Sequence, residues 1–596
     1  MMDENKVLMT GNQAIARGFY EAGGQVASSY PGSPTVDILQ SVKDNYKAEI
    51  YSEFSVNEKV ALEVAIGASF SGARAMVSMK HVGVNIAADP MMTFTQSGTN
   101  GGFLLVTGDD PGMASSQNEQ DNRIMGKFAN MAILDPSDSQ EAKEFTKLAL
   151  KVSEENSTPV MLRITSRLCH SRSAVELCER FEPEPDGFEK DKSNFNMIPP
   201  NTFEKQHSMK SRIEKLQQKA VNMDINIFEE SKNKDFLIIT SGIVYNNIKE
   251  LGLDIPIYKL GMIYPLPIDK IRELSSEYKN IIVIEEMTPF IENELKINGI
   301  SCEGKKYFSF TGELGIEEIE MGLKEAGVVK EVKYALKKND HAVPRLPMFC
   351  AGCPHRPVFD ILKKSGKTVV GDIGCYSLAA IFPLEVLDVE ISMGSSLGIM
   401  KGIAKANALR GKAEPIVAVI GDGTFFHSGM TGMVNMLHQI DPKDNMTIII
   451  LNNGTTAMTG GQHTASSGSY SKEDDMNVDM RKLLEGMGFD RVKIVDQFKY
   501  KSAKETIEAE MKHNGLSVII TTRPCALKFK VKEPQFYVDP QVCIGCRKCV
   551  KTNCPPIQMK KYEGIEKLKS SINPDMCVGC SVCAQVCPVN AIKRSK

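Results

Sequence analysis

The sequence predicts a multidomain α/β chain built on doubly wound parallel sheets and closed by a small cysteine-rich α+β module. Apolar runs at 415–420 and 446–451 read as strands buried on both faces, the habit of parallel sheets. Between them, 428–439 spaces Met and Leu at helical intervals, so the three segments form one βαβ crossover. Eight of the fifteen cysteines then crowd between Cys543 and Cys587, which sets the C-terminus apart from the rest. A length of 596 residues suits about three to five domains.

From the N-terminus, residues 1–170 read as a first α/β domain. A helical pattern covers 12–22 and a short strand 25–29; Tyr30-Pro31-Gly32-Ser33-Pro34-Thr35 then turns into another helix. An apolar helix spans 58–71, with strands at 75–79, 103–107 and, last in this domain, 160–165. Residues 171–234, with Pro183, Pro185, Pro199, Pro200 and a lysine-rich stretch at 205–219, read as a connecting segment with one surface helix. A second unit, 235–335, has strands at 236–240 and 281–285, with Tyr258-Lys259-Leu260-Gly261 between, and no cluster of catalytic residue types. A third unit, 340–530, carries the crossover, and 531–596 is the cysteine module.

Net charge is −3 and hydrophobic residues make up 42 %, so neither a nucleic-acid nor a membrane-surface footprint is implied. No apolar run reaches the roughly 18 residues of a membrane span. The polar start Met1-Met2-Asp3-Glu4-Asn5-Lys6 is unlike a secretion signal. A cytoplasmic chain is expected, and in a reducing compartment a dense cysteine cluster points to metal rather than disulfides.

The chemistry starts at Gly421-Asp422-Gly423 and Asn452-Asn453-Gly454, which end the two strands of the crossover. Ligands of open α/β sheets bind at the carboxyl ends of strands. A diphosphate is usually held through Mg²⁺, a hard ion that takes oxygen ligands. Asp422 offers a carboxylate and Asn453 an amide oxygen, while the glycines admit phosphate close to backbone. Gly-Asp-Gly alone is an ordinary tight turn; with Asn-Asn a helix and a strand later, it resembles the thiamine diphosphate motif. Upstream, Ser392-Met393-Gly394-Ser395-Ser396-Leu397-Gly398 opens a helix and suits anionic oxygens.

The cysteine module reads Cys543-x2-Cys546-x2-Cys549-x4-Cys554-Pro555, then Cys577-x2-Cys580-x2-Cys583-x3-Cys587-Pro588. Thiolates so spaced hold iron–sulfur cubes, the fourth cysteine of each run serving the other cube. The expected sets are Cys543, Cys546, Cys549 and Cys587, and Cys577, Cys580, Cys583 and Cys554. The first run departs from the usual spacing by one residue before Cys554. Zinc is the competing metal here, and also at Cys350-x2-Cys353, which has no second cysteine pair nearby.

Thiamine diphosphate promotes loss of CO₂ from 2-oxo acids and leaves an electron-rich fragment. A simple decarboxylase needs no clusters, so the combination points to oxidative decarboxylation with electrons passed to a ferredoxin. The chain resembles, over essentially its full length, the alpha subunits of indolepyruvate:ferredoxin oxidoreductases. The resemblance is carried by Tyr30-Pro31-Gly32-Ser33-Pro34, Asn57-Glu58-Lys59-Val60-Ala61, Met79-Lys80-His81-Val82-Gly83, Phe349-Cys350-Ala351-Gly352-Cys353-Pro354-His355 and Gly371-Asp372-Ile373-Gly374-Cys375. The paired motif at 421–423 and 452–453 and the eight-cysteine module complete it.

This resemblance implies pyrimidine- and diphosphate-binding thiamine domains at 1–170 and 340–530. It also implies a transketolase C-terminal-like α/β domain at 235–335 and a 2[4Fe-4S] ferredoxin-type α+β domain at 531–596. Glu58, on its own no more than a favourable helix N-terminal charge, becomes the partner of the aminopyrimidine ring. Ser33 faces the substrate carboxylate. Asp422, Asn453 and the carbonyl of Thr455 become Mg²⁺ ligands. Gly374, Cys375, Ser395 and Gly423 lie near the diphosphate, and His81, His355 and Cys353 line the active site. Also implied are a smaller beta subunit in an α2β2 assembly, coenzyme A as acyl acceptor, and the arylpyruvates indolepyruvate, phenylpyruvate and 4-hydroxyphenylpyruvate as substrates. Two alternatives stand beside this reading: the same chemistry on an aliphatic acid such as pyruvate, and an electron-relay subunit whose thiamine site is silent.

Overall fold

The computed structural model describes residues 5–595 except 185–186, 335–342, 344–346, 412–413, 440, 442–444 and 468–476. The chain divides into two compact units, Met1–Asp340 and His341–Lys596. The domain junction expected at 335–340 lies outside the described residues.

In the first unit, a seven-stranded sheet runs Met262–Tyr264, Ala132–Leu134, Val160–Thr165, Phe103–Asp109, Ala75–Lys80, Val26–Ser29, Tyr51–Phe54. All neighbours are parallel except the first pair. Successive side chains of a strand point to opposite faces, and both faces here are packed. Ala75, Val77, Met79 and Leu105 enter one core, whereas Met76, Leu104, Val106 and Leu162 enter another. Such near-continuous apolar strands are what a doubly covered sheet requires.

Two features of this unit depart from the sequence reading. The first sheet takes a strand from outside 1–170: Met262–Tyr264, from the second expected domain, adds itself antiparallel to Ala132–Leu134. Asparagine guides that return: the Asn226 side-chain oxygen accepts from the backbone N–H groups of Gly261 and Met262 at 3.0 and 3.1 Å. Further, the helix Asn201–Ala220 buries one face through Met209, Ile213, Leu216 and Ala220, and Leu216 and Ala220 join the first sheet's core. The connecting segment is therefore part of the packing. The four-stranded sheet of 227–284 runs Asn280–Ile284, Phe236–Ser241, Ile257–Leu260, Ile227–Glu229. Its Leu237, Ile239, Leu260 and Val283 share a core with Val77 and Leu105.

The second unit is built on five parallel strands in the order Thr368–Val370, Ile416–Gly421, Asn445–Leu451, Gly515–Thr521, Val492–Val495. Residues again alternate: Val417, Val419, Ile449 and Leu451 face one core, and Ile416, Ala418, Ile420, Ile448 and Ile450 the other. The crossover starts earlier than its spacing predicts. Asp422–Thr424 is already a helical turn, Phe425–Gly429 is a π turn, and only Met430–His438 is regular α-helix. Single π turns inside helices mark functional positions more often than chance. The cysteine module contributes two antiparallel strand pairs, Phe536–Val538 with Ile592–Arg594 and Ile557–Lys560 with Lys569–Ile572. It is fixed to the five-stranded domain by Gln585, which accepts from the Tyr500 N–H at 2.9 Å and donates to the Phe498 carbonyl at 2.7 Å.

Candidate cofactor sites

In the first unit, Ser33 and His81 follow the carboxyl ends of the adjacent parallel strands Val26–Ser29 and Ala75–Lys80. Their loops are in close contact. A Cβ on Gly32 would sit 3.0 Å from Lys80 Cβ, and one on Gly108 2.5 Å from Thr35 Cγ2. Glu58 begins the helix Glu58–Phe70, whose N-cap Asn57 accepts from the Val60 N–H at 2.9 Å. The glutamate is only 5 % exposed. Its side chain packs on Gly83, two residues beyond His81, where a Cβ would stand 2.7 Å from Glu58 Oε1. Ser33, Glu58 and His81 are thus gathered at one sheet edge.

His81 is fully buried, and burial with the neighbouring Lys80 charge lowers its pKa. The carbonyls of Gly108 and Asn118 oppose that shift, but neither ring nitrogen reaches hydrogen-bond geometry. Among the described residues both ring nitrogens of His81 are therefore buried without a hydrogen-bond partner. The polar rim beside it was not assigned from sequence. Asp110 accepts from Ser115 N–H at 2.8 Å and from the hydroxyls of Ser116 at 2.5 Å and Ser166 at 2.6 Å, while Lys80 Nζ donates to the Ser115 carbonyl at 2.6 Å.

In the second unit, Asp422 and Asn453 follow the carboxyl ends of paired strands, register Gly421 to Leu451. Asp422 is 2 % exposed, and burial pushes its carboxyl up to about 7 despite a 3.3 Å bond from Thr464 Oγ1 and backbone N–H groups. A buried carboxylate without a cation is costly, and a hard divalent ion would relieve it. Asn453 turns its Oδ1 to the Thr455 N–H at 3.1 Å, and Thr455 is buried beside it. Together these oxygens suit Mg²⁺. Asn453 Nδ2 lies 3.2 Å from His355 Nε2. His355 is buried, burial lowers its pKa to about 4, and its Nδ1 has no hydrogen-bond partner among the described residues.

The remaining predicted residues surround this edge. Ser395 opens the helix Ser395–Leu409, its hydroxyl donating to the Ser392 carbonyl at 2.8 Å. Asp372, quoted in a motif but given no role from sequence, shapes this loop by accepting from Gly394 N–H at 2.8 Å and Ser396 N–H at 3.2 Å. Gly374 abuts the Tyr376 ring, where a Cβ would lie 2.5 Å from Cε1. Tyr376 OH accepts from Gly421 N–H at 2.9 Å and donates to the Ile373 carbonyl at 3.0 Å, which fixes the approach to Asp422 and Gly423. Cys375 is half-buried, with its thiol pushed up to about 11 by burial, and Cys353 is buried, its thiol pushed up to about 12. Cys350 is exposed.

The eight C-terminal cysteines line two cavities. One is bounded by Cys543, Cys546, Cys549 and Cys587, the other by Cys554, Cys577, Cys580 and Cys583. Each takes three cysteines from one run and one from the other. The four residues before Cys554 close a 3₁₀ turn, Val550–Thr552, through Asn553 at φ 54°, and Cys554 still reaches the second cavity. Among the described residues, no three of these sulfurs lie within 4.8 Å of one another. Tetrads that each draw three cysteines from one run and one from the other are the arrangement of a two-cluster ferredoxin.

The chain matches three family models. Residues 17–232 match "Pyruvate flavodoxin/ferredoxin oxidoreductase, thiamine diP-binding", and 372–521 match "Thiamine pyrophosphate enzyme, C-terminal TPP binding domain". Residues 535–588 match "4Fe-4S dicluster domain". The chain is 36 % identical to the indolepyruvate oxidoreductase subunit IorA of Archaeoglobus fulgidus, over 99 % of this chain and 98 % of that one. The same-named subunits of Pyrococcus abyssi and Methanothermobacter thermautotrophicus are 35 % and 34 % identical, each over 99 % of this chain and 97 % of theirs. An oxidoreductase chain with thiamine-diphosphate-binding domains and a dicluster module, similar along its whole length to these proteins, belongs to the family of indolepyruvate oxidoreductase IorA subunits.

Proposed function

We propose that this chain is the catalytic subunit of an arylpyruvate:ferredoxin oxidoreductase. It converts indolepyruvate, phenylpyruvate or 4-hydroxyphenylpyruvate with coenzyme A to the aryl-acetyl-CoA and CO₂. The observation that carries the reading is the pairing, within one compact unit, of the Asp422–Asn453 oxygen set with two cysteine tetrads. Thiamine diphosphate, when bound, supplies the electron sink for loss of CO₂. Asp422, Asn453 and the Thr455 carbonyl would hold its Mg²⁺, with Gly374, Cys375, Ser395 and Gly423 near the diphosphate. Glu58 would hold the aminopyrimidine ring, and its packing on Gly83 keeps the carboxylate in place. Ser33 would meet the substrate carboxylate, with His81, Cys353 and His355 lining the reaction space. The two imidazoles have lowered pKa values and so enter as neutral groups. Cys543, Cys546, Cys549 and Cys587 would ligate one [4Fe-4S] cluster and Cys554, Cys577, Cys580 and Cys583 the other. A smaller beta subunit completes an α2β2 assembly in the cytoplasm. The arylpyruvate class rests on the printed names of the relatives.

The test is anaerobic reduction of ferredoxin or a viologen by the chain co-expressed with its partner. The mixture contains thiamine diphosphate, Mg²⁺ and coenzyme A, and compares indolepyruvate, phenylpyruvate, pyruvate and 2-oxoglutarate. Faster turnover on the aryl acids, abolished by Glu58→Ala, is expected. Turnover on pyruvate or 2-oxoglutarate alone overturns the substrate class. No turnover with cofactors bound leaves an electron-relay subunit.

A further inference from the structure

Arg356 is a buried cation with an unusual set of partners. It is 4 % exposed, and among the described residues no carboxylate lies within ion-pair distance. Its Nη1 donates to the carbonyl of Asn553, and to that of Thr552 at 3.3 Å; its Nη2 donates to the carbonyls of Phe349 and Cys350, both at 2.6 Å. One guanidinium therefore ties the loop that delivers Cys554 to the segment that runs into His355. The preceding residue, His355, contacts Asn453 at 3.2 Å. Adjacent side chains on one helix start thus reach toward the diphosphate edge and toward one cysteine tetrad. Gly352 tightens the same joint. Its backbone N–H donates toward the Cys554 sulfur, and at φ 67° a Cβ there would stand 1.9 Å from Val578 Cγ2, between Cys577 and Cys580. A buried charge without a counter-ion is costly, and a cluster held by four thiolates is a net anion. Among the described residues no arginine makes such a joint at the other tetrad. It is bordered by exposed Cys546 and by Ile544, which is 56 % exposed.

We propose that electrons enter the cluster pair at the site of Cys554, Cys577, Cys580 and Cys583 and leave from the other, with Arg356 the positioning residue that couples the entry site to the thiamine domain. This rests on the function proposed above. Loss of CO₂ from the 2-oxo acid and formation of the acyl–sulfur bond to coenzyme A release one proton and two electrons. Each electron reduces the entry cluster, moves to the exit cluster and reduces one molecule of oxidised ferredoxin. The Arg356 charge favours the reduced, more anionic form of the entry cluster, and its four bonds keep that cluster close to its donor.

The test uses the holoenzyme with its partner subunit in three forms: wild type, Arg356→Met and Arg356→Lys. Potentiometric titration followed by low-temperature EPR reads each cluster, and Cys554→Ser and Cys546→Ser mark which signal belongs to which tetrad. Arg356→Met is expected to shift the reduction equilibrium of the Cys554-marked cluster about tenfold toward oxidised, a fall of about 59 mV for a one-electron couple, with the Cys546-marked cluster unmoved. Reduction by 2-oxo acid slows at least about tenfold, while dithionite still reduces both clusters. Arg356→Lys keeps the potential and loses part of the rate, which separates charge from clamp even if the methionine variant loads poorly. A shift in the Cys546-marked cluster, or unchanged substrate-driven reduction in Arg356→Met, overturns the proposal. Wild-type enzyme whose clusters dithionite reduces but no 2-oxo acid does would instead overturn the function on which it rests.

Discussion

Arg123→Met should be among the most destabilising single changes in the first unit, because it leaves two buried carboxylates without their cation. Arg123 is 1 % exposed and bonds Asp121 at 2.6 Å and Glu285 at 2.7 Å, with further bonds to the carbonyls of Glu286 at 2.8 Å and Thr288 at 3.0 Å. These contacts join the end of the first sheet's helix Asn122–Phe128 to the sheet of 227–284. Removing one partner of a buried pair costs about 3–5 kcal/mol, which for a unit of about 340 residues lowers the melting temperature by about 4–7 °C. Calorimetry of the purified chain measures it. A second change, Glu285→Gln, removes one stranded charge and is expected to recover part of the loss. The pH profile gives an independent check. Burial would raise the Asp121 pKa, but the Arg123 charge outweighs it and holds the carboxyl down to about 2, below the ordinary aspartate value of about 3.9. A depressed carboxyl stabilises above its unfolded pKa, and that stabilisation is lost as pH falls from about 4 to about 2. The wild type therefore shows this acid-side loss and Arg123→Met does not. A stability cost below about 1 kcal/mol, or identical acid profiles, would refute the reasoning.

Other outcomes follow from the candidate sites. Glu58→Gln should lower ferredoxin reduction by at least about 10²-fold, as loss of a positioned acid–base group does, with an unchanged melting curve; activity within a few fold of wild type counts against its role. Gly83→Val places carbon atoms where the Glu58 carboxylate lies, 2.6–2.7 Å from an added Cβ, and should abolish activity at modest cost in stability. In the wild type, thiamine diphosphate with Mg²⁺ at about 100 times its dissociation constant should add about 2.7 kcal/mol of stability. Asp422→Asn should lose that increment, read as a melting shift with and without Mg²⁺. Metal analysis of anaerobically purified chain should find about eight iron atoms and no stoichiometric zinc, as two cubes require.

What was legible in the sequence was periodic or densely spaced. The run Ile416–Gly421 is apolar at every position because both faces of its sheet are covered, so its residues divide between two cores. That pattern needs no tertiary knowledge to read. Spacing likewise brought the eight cysteines out as two runs of four. The edge strand Met262–Tyr264 has three residues, too few to show a period, and its partner Ala132–Leu134 lies far back in the chain. The π turn Phe425–Gly429 is a matter of backbone bonding that Met and Leu spacing does not report. Arg356 carries no signal in spacing or periodicity, since its worth depends on where the carbonyls of Thr552 and Asn553 fall.

The same chain shows why the sites could still be found once folded. A sequence that specifies one structure satisfies its buried polar groups, and real proteins break that rule at functional positions. The breaks here are confined in kind. Among the described residues, Asp422 is buried with its carboxyl pushed up to about 7, His81 is buried with both ring nitrogens unpartnered, His355 with Nδ1 unpartnered, and Arg356 without a carboxylate partner. By contrast Asp121, Arg123 and Glu285 are equally buried but mutually paired. That network neutralises its own charges, whereas Asp422 and the two histidines lie at the candidate thiamine-binding edges and Arg356 beside a cysteine tetrad. Each has the polarity its expected ligand would complement: an oxygen anion for a divalent cation, a guanidinium for an anionic cluster.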